Sequence, residues 1–379
     1  MPISKCRVCN KTFFEAPLIE YHNMPKAAQF LPDKDSLLTE KGVDLNVCQC
    51  SGCGLVQLSN EPVPYYKEVI RAAAVSQEMK DFRDNQFKTF IKKHSLKEKK
   101  VIEIGCGRGE YLSILKNTGA IVSGLEYSEE SVKQCIVNGL NVSQGFLESS
   151  DYMINGAPFD GFFMLNFLEH LPEQNLVLSG IYNNLTDQAV GLLEVPNFNM
   201  ILRKHLFSEF IGDHLFYFTK DTLTTTLNLN GFEVIDCSEI WNEYIISAVI
   251  RKRNRLNIDD FQKHQANLKY ELEKYLSCFR SKNVAIWGAG HQALAIISLI
   301  DLSGKIKYVI DSAAFKQGKY TPATHIPIVS PDVLHSDPVE AVIIMAASYS
   351  DEVARTIRQK YDKTVKIAIL RDYGLQNII

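Results

Sequence analysis

The stretch Val101-Ile-Glu-Ile-Gly-Cys-Gly-Arg-Gly109 constrains this chain more than any other. Val101 to Ile104 predict a short buried strand, and Gly105, Gly107 and Gly109 a tight turn. Glu110 to Lys116 then predict a helix with Leu112 and Leu115 on its inner face. Glycines in such a turn let a ligand approach the backbone, because a Cβ would collide with it. About 20 residues on, Ala120-Ile-Val-Ser-Gly-Leu-Glu126 reads as the next strand, with a carboxylate at its tip where an acid meets a ribose diol.

A dinucleotide does not suit this turn. The G-x-G-x-x-G fingerprint brings a diphosphate to a helix N-terminus. Here the spacing is Glu-x-Gly-x-Gly-x-Gly, and Glu103 would repel a diphosphate. An acid there suits a cationic ligand with an amino group, and S-adenosylmethionine (SAM) is such a ligand. The stretch resembles motif I of the class I SAM-dependent methyltransferases. That resemblance implies Glu103, Gly105, Cys106, Gly107 and Gly109 around the donor and Glu126 on its ribose.

The 379 residues suffice for two or three domains. A hydrophobic content of 46% and a charged content of 22% are those of a globular protein. A net charge of -3 gives no electrostatic case for nucleic acid or an anionic membrane as partner. No apolar run reaches the roughly 20 residues of a membrane span, and the N-terminus lacks the hydrophobic region of a signal peptide. These features predict a cytoplasmic protein. In such a chain nine cysteines predict metal binding or buried thiols rather than disulfides.

Residues 1–64 carry Cys6-Arg-Val-Cys9 and Cys50-Ser-Gly-Cys53. Two such knuckles complete a closed four-thiolate Zn²⁺ site, which leaves no position open for water and is therefore structural. The metal would hold together a segment too short to bury a good core. Cys48 also lies close, but the Cys50/Cys53 spacing mirrors Cys6/Cys9 and favours Cys50.

Residues 65–252 are expected to form the SAM domain. Tyr65 to Glu98 read as helical, with Tyr65 and Tyr66 at the exit from the zinc module. Ser131 to Asn138 predict a helix and Leu140-Asn-Val a third strand. Gly145-Phe146-Leu147-Glu148 falls where this fold contacts adenine, so Phe146 or Leu147 is expected on the base. Phe159 to Asn166 predict the fourth strand, with Asn166 at the donor and His170 just beyond. Ligands of open α/β sheets bind outside the carboxyl ends of the strands, so His170 is expected to face the methyl donor. Gly191 to Asn197 predict the fifth strand, and Thr219-Lys-Asp-Thr222 a helix start. Gly231-Phe-Glu-Val-Ile and Ile245 to Arg251 predict the closing strands. Between them Asp213-His214 pairs an acid with an imidazole, whose basicity the carboxylate is expected to raise.

Residues 253–379 begin with a charged helical connector and repeat the opening theme. Asn283 to Ala293 read as strand, glycine turn and helix, with Asp311 at the next strand end. Ala341 to Met345 and Val365 to Ile369 complete a second Rossmann-like sheet. Its G-x-G-x-x-A either binds a nucleotide or is a scaffold that has lost its ligand. The expected class is therefore α/β: a small zinc-binding module, a class I SAM methyltransferase domain and a Rossmann-like C-terminal domain.

The order of these parts resembles the nucleotide-sugar C-methyltransferases that make branched deoxysugars. Cys50-Ser-Gly-Cys53-Gly-Leu-Val-Gln-Leu58, Asn166 to His170, and Lys316 to Ile328 carry the likeness. It implies methyl transfer from SAM to carbon 3 of a nucleotide-linked 4-keto sugar, a small-molecule partner. His214 would be the base, with Asp213 standing where the family has Glu and Ile211 where it has Tyr. His170 and Tyr66 would stabilise the enediolate. Two other readings stay open. One is O- or N-methylation, which the loss of the tyrosine at Ile211 favours; the other is a non-catalytic binding subunit. The oligomeric state is not legible.

Overall fold

The computed structural model describes residues 3–29, 31–68, 76–361 and 364–378. They form two compact units, Met1–Arg255 and Leu256–Ile379. The cysteine-knuckle segment and the expected SAM domain thus share one unit.

The first unit opens with two cysteine knuckles and an antiparallel sheet of Ile19–Met24, Val43–Gln49 and Val56–Leu58. A fourth strand, Phe216–Tyr217, comes from far along the chain and pairs with Val56–Leu58. Two residues are too few to show a hydrophobic period, and the sequence gives no sign of this pairing.

The central sheet has seven strands. From one edge to the other these are Phe232–Ile240, Ile245–Lys252, Leu185–Pro196, Phe159–Leu165, Lys100–Ile104, Ile121–Glu126 and Val142–Gln144. The last five run parallel, and Ile245–Lys252 is antiparallel to its neighbours. Strand order reverses beside Lys100–Ile104, which opens a crevice at the carboxyl ends of the two central strands. Helix Glu110–Lys116 follows the glycine turn as expected, with Leu112 and Leu115 buried.

Two expectations shift. The helix expected over 65–98 is Gln77–Lys93, with the Ser76 side chain accepting from the Met79 N–H. It stops because Ser95 and Glu98 adopt φ values of 55° and 61°. Tyr66–Glu68 is a separate 3₁₀ turn, and the expected helix at 69–75 lies outside the described residues. The third strand begins at Val142 rather than Leu140. Leu140 instead packs beneath the glycine turn, where a Cβ on Gly109 would meet its Cδ1 at 2.4 Å.

Helix Gln77–Lys93 covers one face of the sheet and buries Phe87, Phe90 and Ile91 with Phe163 and Leu192. It also buries Arg83, which pairs with Glu194 at 2.5 Å. Gln86 donates to Glu194 Oε1 at 2.6 Å and Ser247 donates to the same oxygen at 3.0 Å. A buried charge needs such partners to offset desolvation.

The second unit has a six-stranded sheet in the order Ile328–Val329, Val309–Ile310, Val284–Trp287, Ala341–Ile344, Lys366–Arg371 and Gly374–Ile378. Only the last strand is antiparallel. Helix Asp259–Leu276, the expected connector, lays Leu268 and Leu272 on this core. Among the described residues no helix is long and apolar enough to cross a membrane.

Candidate functional site

A cavity of about 550 Å³ opens at the crevice in the seven-stranded sheet. That volume falls in the usual range for small-molecule sites. Gly105 to Arg108 form one wall, and Glu126, Asn166, Glu169, His170 and His214 contribute others. Gly105, Gly107 and Gly109 all take positive φ, as the tight turn requires. A Cβ on Gly105 would strike the Phe167 ring at 2.6 Å, so the turn and the loop after the fourth strand can close on each other only through glycine.

Glu126 ends its strand as predicted. Its carboxylate accepts from the Gly107 N–H at 2.8 Å and the Ser128 N–H at 2.9 Å. Burial raises its pKa, and those donors oppose the shift. Asn166 sits at φ 52°, and its side-chain oxygen is buried without a hydrogen-bond partner. An orphaned acceptor beside a cavity is costly unless a ligand satisfies it.

Other expected donor contacts are placed differently. Glu103 is 2% exposed in its strand and does not line the cavity. Gly109 is the helix N-cap and contacts Leu140 rather than open space. Cys106 does line the cavity and is buried. Phe146 and Leu147 line a second, narrow cavity of about 10 Å³ on the other side of Glu126. Lys67 helps to fill that slot: its ammonium lies 5.0 Å from the Phe146 ring centre and 5.2 Å from that of Tyr127, and pairs with Glu148 at 2.7 Å.

The 3₁₀ turn Leu168–His170 and the loop 211–214 bring two histidines together. The rings of His170 and His214 lie 4.8 Å apart, edge to face. His170 Nδ1 donates to the Asp213 carbonyl at 2.7 Å, leaving Nε2 as the lone-pair nitrogen 3.7 Å from Glu169 Oε1. Desolvation, then the nearby His170, pushes the His214 imidazole down to about 3. Burial pushes the Glu169 carboxyl up to about 8.

The expected partnership of Asp213 with His214 is not formed. Asp213 Oδ1 accepts from the Tyr65 hydroxyl at 2.6 Å and Oδ2 from the Ala28 N–H at 3.0 Å. The carboxylate therefore anchors its loop, and His214 becomes less basic, not more. Tyr66 does not line the main cavity; its ring packs edge-on to Phe146 at 6.2 Å. Sequence reasoning placed Tyr65 at the exit from the N-terminal module without its partner, and missed Glu169 and Ala28. They meet only through contacts across long stretches of chain, and no spacing signals them.

The cysteines gather as expected. One sulfur from each of Cys6, Cys9, Cys50 and Cys53 lies within 4.8 Å of the others, and Cys48 is outside the group. Cys6 and Cys53 sulfurs are 3.7 Å apart. Four thiolates about 2.3 Å from a tetrahedral Zn²⁺ would be about 3.8 Å apart. The Val8 N–H points at Cys6 Sγ and the Gly52 N–H at Cys50 Sγ, the donors a thiolate cluster needs.

In the second unit the nucleotide-like acid is already engaged. Asp311 Oδ2 accepts from Lys316 Nζ and from the Ala289 N–H, each at 2.8 Å. Lys316 Nζ also reaches the Ala289 carbonyl at 3.1 Å, so the lysine bridges the glycine turn and the acid.

Comparison with known proteins accords with this architecture. Residues 72–236 match the methyltransferase domain family and residues 251–370 the C-methyltransferase C-terminal domain family. Over 93% of this chain and 91% of its own, the C-methyltransferase NovU of Streptomyces niveus is 22% identical. The ubiquinone biosynthesis O-methyltransferase of Thiobacillus denitrificans is 30% identical over 21% of this chain and 37% of its own. A crystal structure of a SAM-dependent methyltransferase from Clostridium acetobutylicum aligns with a TM-score of 0.39 at 13% identity, over 50% of this chain and 96% of that one. The chain is a SAM-dependent methyltransferase. Its second unit matches the C-terminal domain of C-methyltransferases over residues 251–370.

Proposed function

We propose that this enzyme methylates carbon 3 of a nucleotide-linked 4-keto deoxysugar. The supporting observation is the pair of imidazoles that shares one cavity with the glycine turn, in a chain similar over most of its length to a C-methyltransferase. SAM, when bound, supplies the electrophilic methyl group. Gly105, Gly107, Glu126 and Asn166 would hold it. The buried Asn166 oxygen, left without a partner by the protein, fits such a ligand.

A ketone acidifies the neighbouring C–H, so a modest base removes that proton. His214 stands neutral and ready to accept it, while the C–H electron pair moves into the enediolate. Buried, and beside His170, His214 is a weak base, and the developing enediolate charge would strengthen it. His170 holds the Asp213 carbonyl, and through it the loop that carries His214. The cavity walls exclude water and fix the approach. One Zn²⁺ on Cys6, Cys9, Cys50 and Cys53 would keep the N-terminal sheet folded.

SAM carrying a ¹³C methyl, offered with nucleotide sugars with and without a 4-keto group, tests this reading. A label in the aliphatic methyl region of the carbon spectrum, seen only with keto sugars, is expected. A label in the methoxy region would overturn carbon as the acceptor.

A further inference from the structure

The cluster Glu169, His170 and His214 has features that the methyl-transfer reading leaves unused. One ligand-type atom from each of the three side chains lies within 4.8 Å of the others. Glu169 Oε2 is buried and has no hydrogen-bond partner. Tetrahedral N and O ligands about 2.0–2.1 Å from Zn²⁺ stand roughly 3.3–3.4 Å apart, and Glu169 Oε1 is 3.7 Å from His170 Nε2.

His170 carries the outer contact typical of a metal ligand. A ligating histidine usually donates its other ring N–H to a carbonyl or carboxylate, which fixes the tautomer. His170 does this with the Asp213 carbonyl, so the Nε2 lone pair faces Glu169. The backbone holds the two ligand loops in register, because the Leu215 N–H donates to the Glu169 carbonyl at 2.9 Å. Asp213 is not part of this cluster, and its oxygens accept from Tyr65 and Ala28 instead. Two imidazoles and one carboxylate favour a borderline cation over Mg²⁺ or Ca²⁺. They also leave a coordination position open to the cavity, unlike the closed cysteine site.

We propose that Glu169, His170 and His214 form a second metal site, for Zn²⁺ or a cation like it, and that filling this site silences methyl transfer. The ion takes the lone pair on which His214 depends as a base. The silencing rests on the proposed role of His214, whereas the binding does not.

The test titrates Co²⁺ into the full-length protein with its cysteine site already loaded with zinc. One further equivalent is expected, with visible bands but no thiolate charge-transfer band. Glu169→Gln and His214→Ala should each weaken that binding about 10-fold or more, with SAM affinity by calorimetry reporting that the fold is intact. Unchanged Co²⁺ affinity in both variants, or a thiolate band, would overturn the site. Turnover that persists when the extra equivalent is bound would overturn the silencing. Failure of every keto sugar to accept a methyl would instead count against the proposed substrate, with the Co²⁺ result standing by itself.

Discussion

The hydroxyl of Tyr65 donates to Asp213 Oδ1 at 2.6 Å and so ties the exit of the N-terminal module to the residue before His214. Both side chains are buried, and the carboxylate also accepts from the Ala28 N–H. Hydrogen bonds to a charged group contribute about 1.5–3 kcal/mol. Tyr65→Phe should therefore lower unfolding free energy by roughly that amount, read by urea denaturation. It should also slow methyl transfer more than it weakens SAM binding, because it loosens the loop and not the glycine turn. Unchanged stability would show that the contact does not hold the loop.

His214→Asn should abolish methyl transfer and leave SAM affinity nearly unchanged. Calorimetry measures the binding and single-turnover assays with labelled SAM the chemistry. Preserved turnover would remove His214 from the role of base.

Arg83 and Glu194 form a buried ion pair between helix Gln77–Lys93 and the fifth strand of the parallel set. Removing one partner leaves the other charged and buried, at a cost of about 3–5 kcal/mol. Arg83→Met should lose about that much stability, and Arg83→Met combined with Glu194→Leu should recover most of it. Denaturation curves of the single and double variants decide whether the coupling exists.

Cys53→Ser should abolish stoichiometric zinc retention and destabilise the first sheet. The strand Phe216–Tyr217 depends on that sheet, so methyl transfer should fall as well. Elemental analysis and thermal melting read the two effects. Full zinc retention in this variant would exclude the four-cysteine set.

The Lys67 side chain fills the slot beside Phe146, so Lys67→Ala should tighten SAM several-fold if the adenine enters there. Titration calorimetry measures it. Weaker binding would mean that Lys67 lines the site rather than closing it.

What was legible in the sequence is what local chemistry dictates. Gly105, Gly107 and Gly109 announce a tight turn because only glycine takes those φ values cheaply. The cysteine knuckles announce their cluster by spacing. Thr219 starts a helix as expected, and Thr222 completes a capping box with it. What was illegible is long-range. Arg83 stands in a helix as an ordinary charged residue, and only the fold makes it buried. Adjacency of Asp213 and His214 in the chain suggested a pair, yet successive side chains in a turn point apart, and Asp213 turned to Tyr65. The second glycine turn reads like a nucleotide site, and Lys316 shows why sequence overstates it: the acid already has a cation.

The pairing of Phe216–Tyr217 with Val56–Leu58 bears on how such a protein can change over time. The Leu58 N–H donates to the Leu215 carbonyl, and the Leu215 N–H donates to the Glu169 carbonyl, each at 2.9 Å. Backbone bonds thus run from the cysteine-knuckle sheet through the residue after His214 to the residue before His170. The N-terminal segment is consequently no detachable accessory. A chimera that exchanged residues 1–64 alone would receive a sheet with a mismatched edge and would misplace both histidines. Recombination between relatives should succeed only where the knuckle sheet and the 205–219 segment travel together as one heritable block.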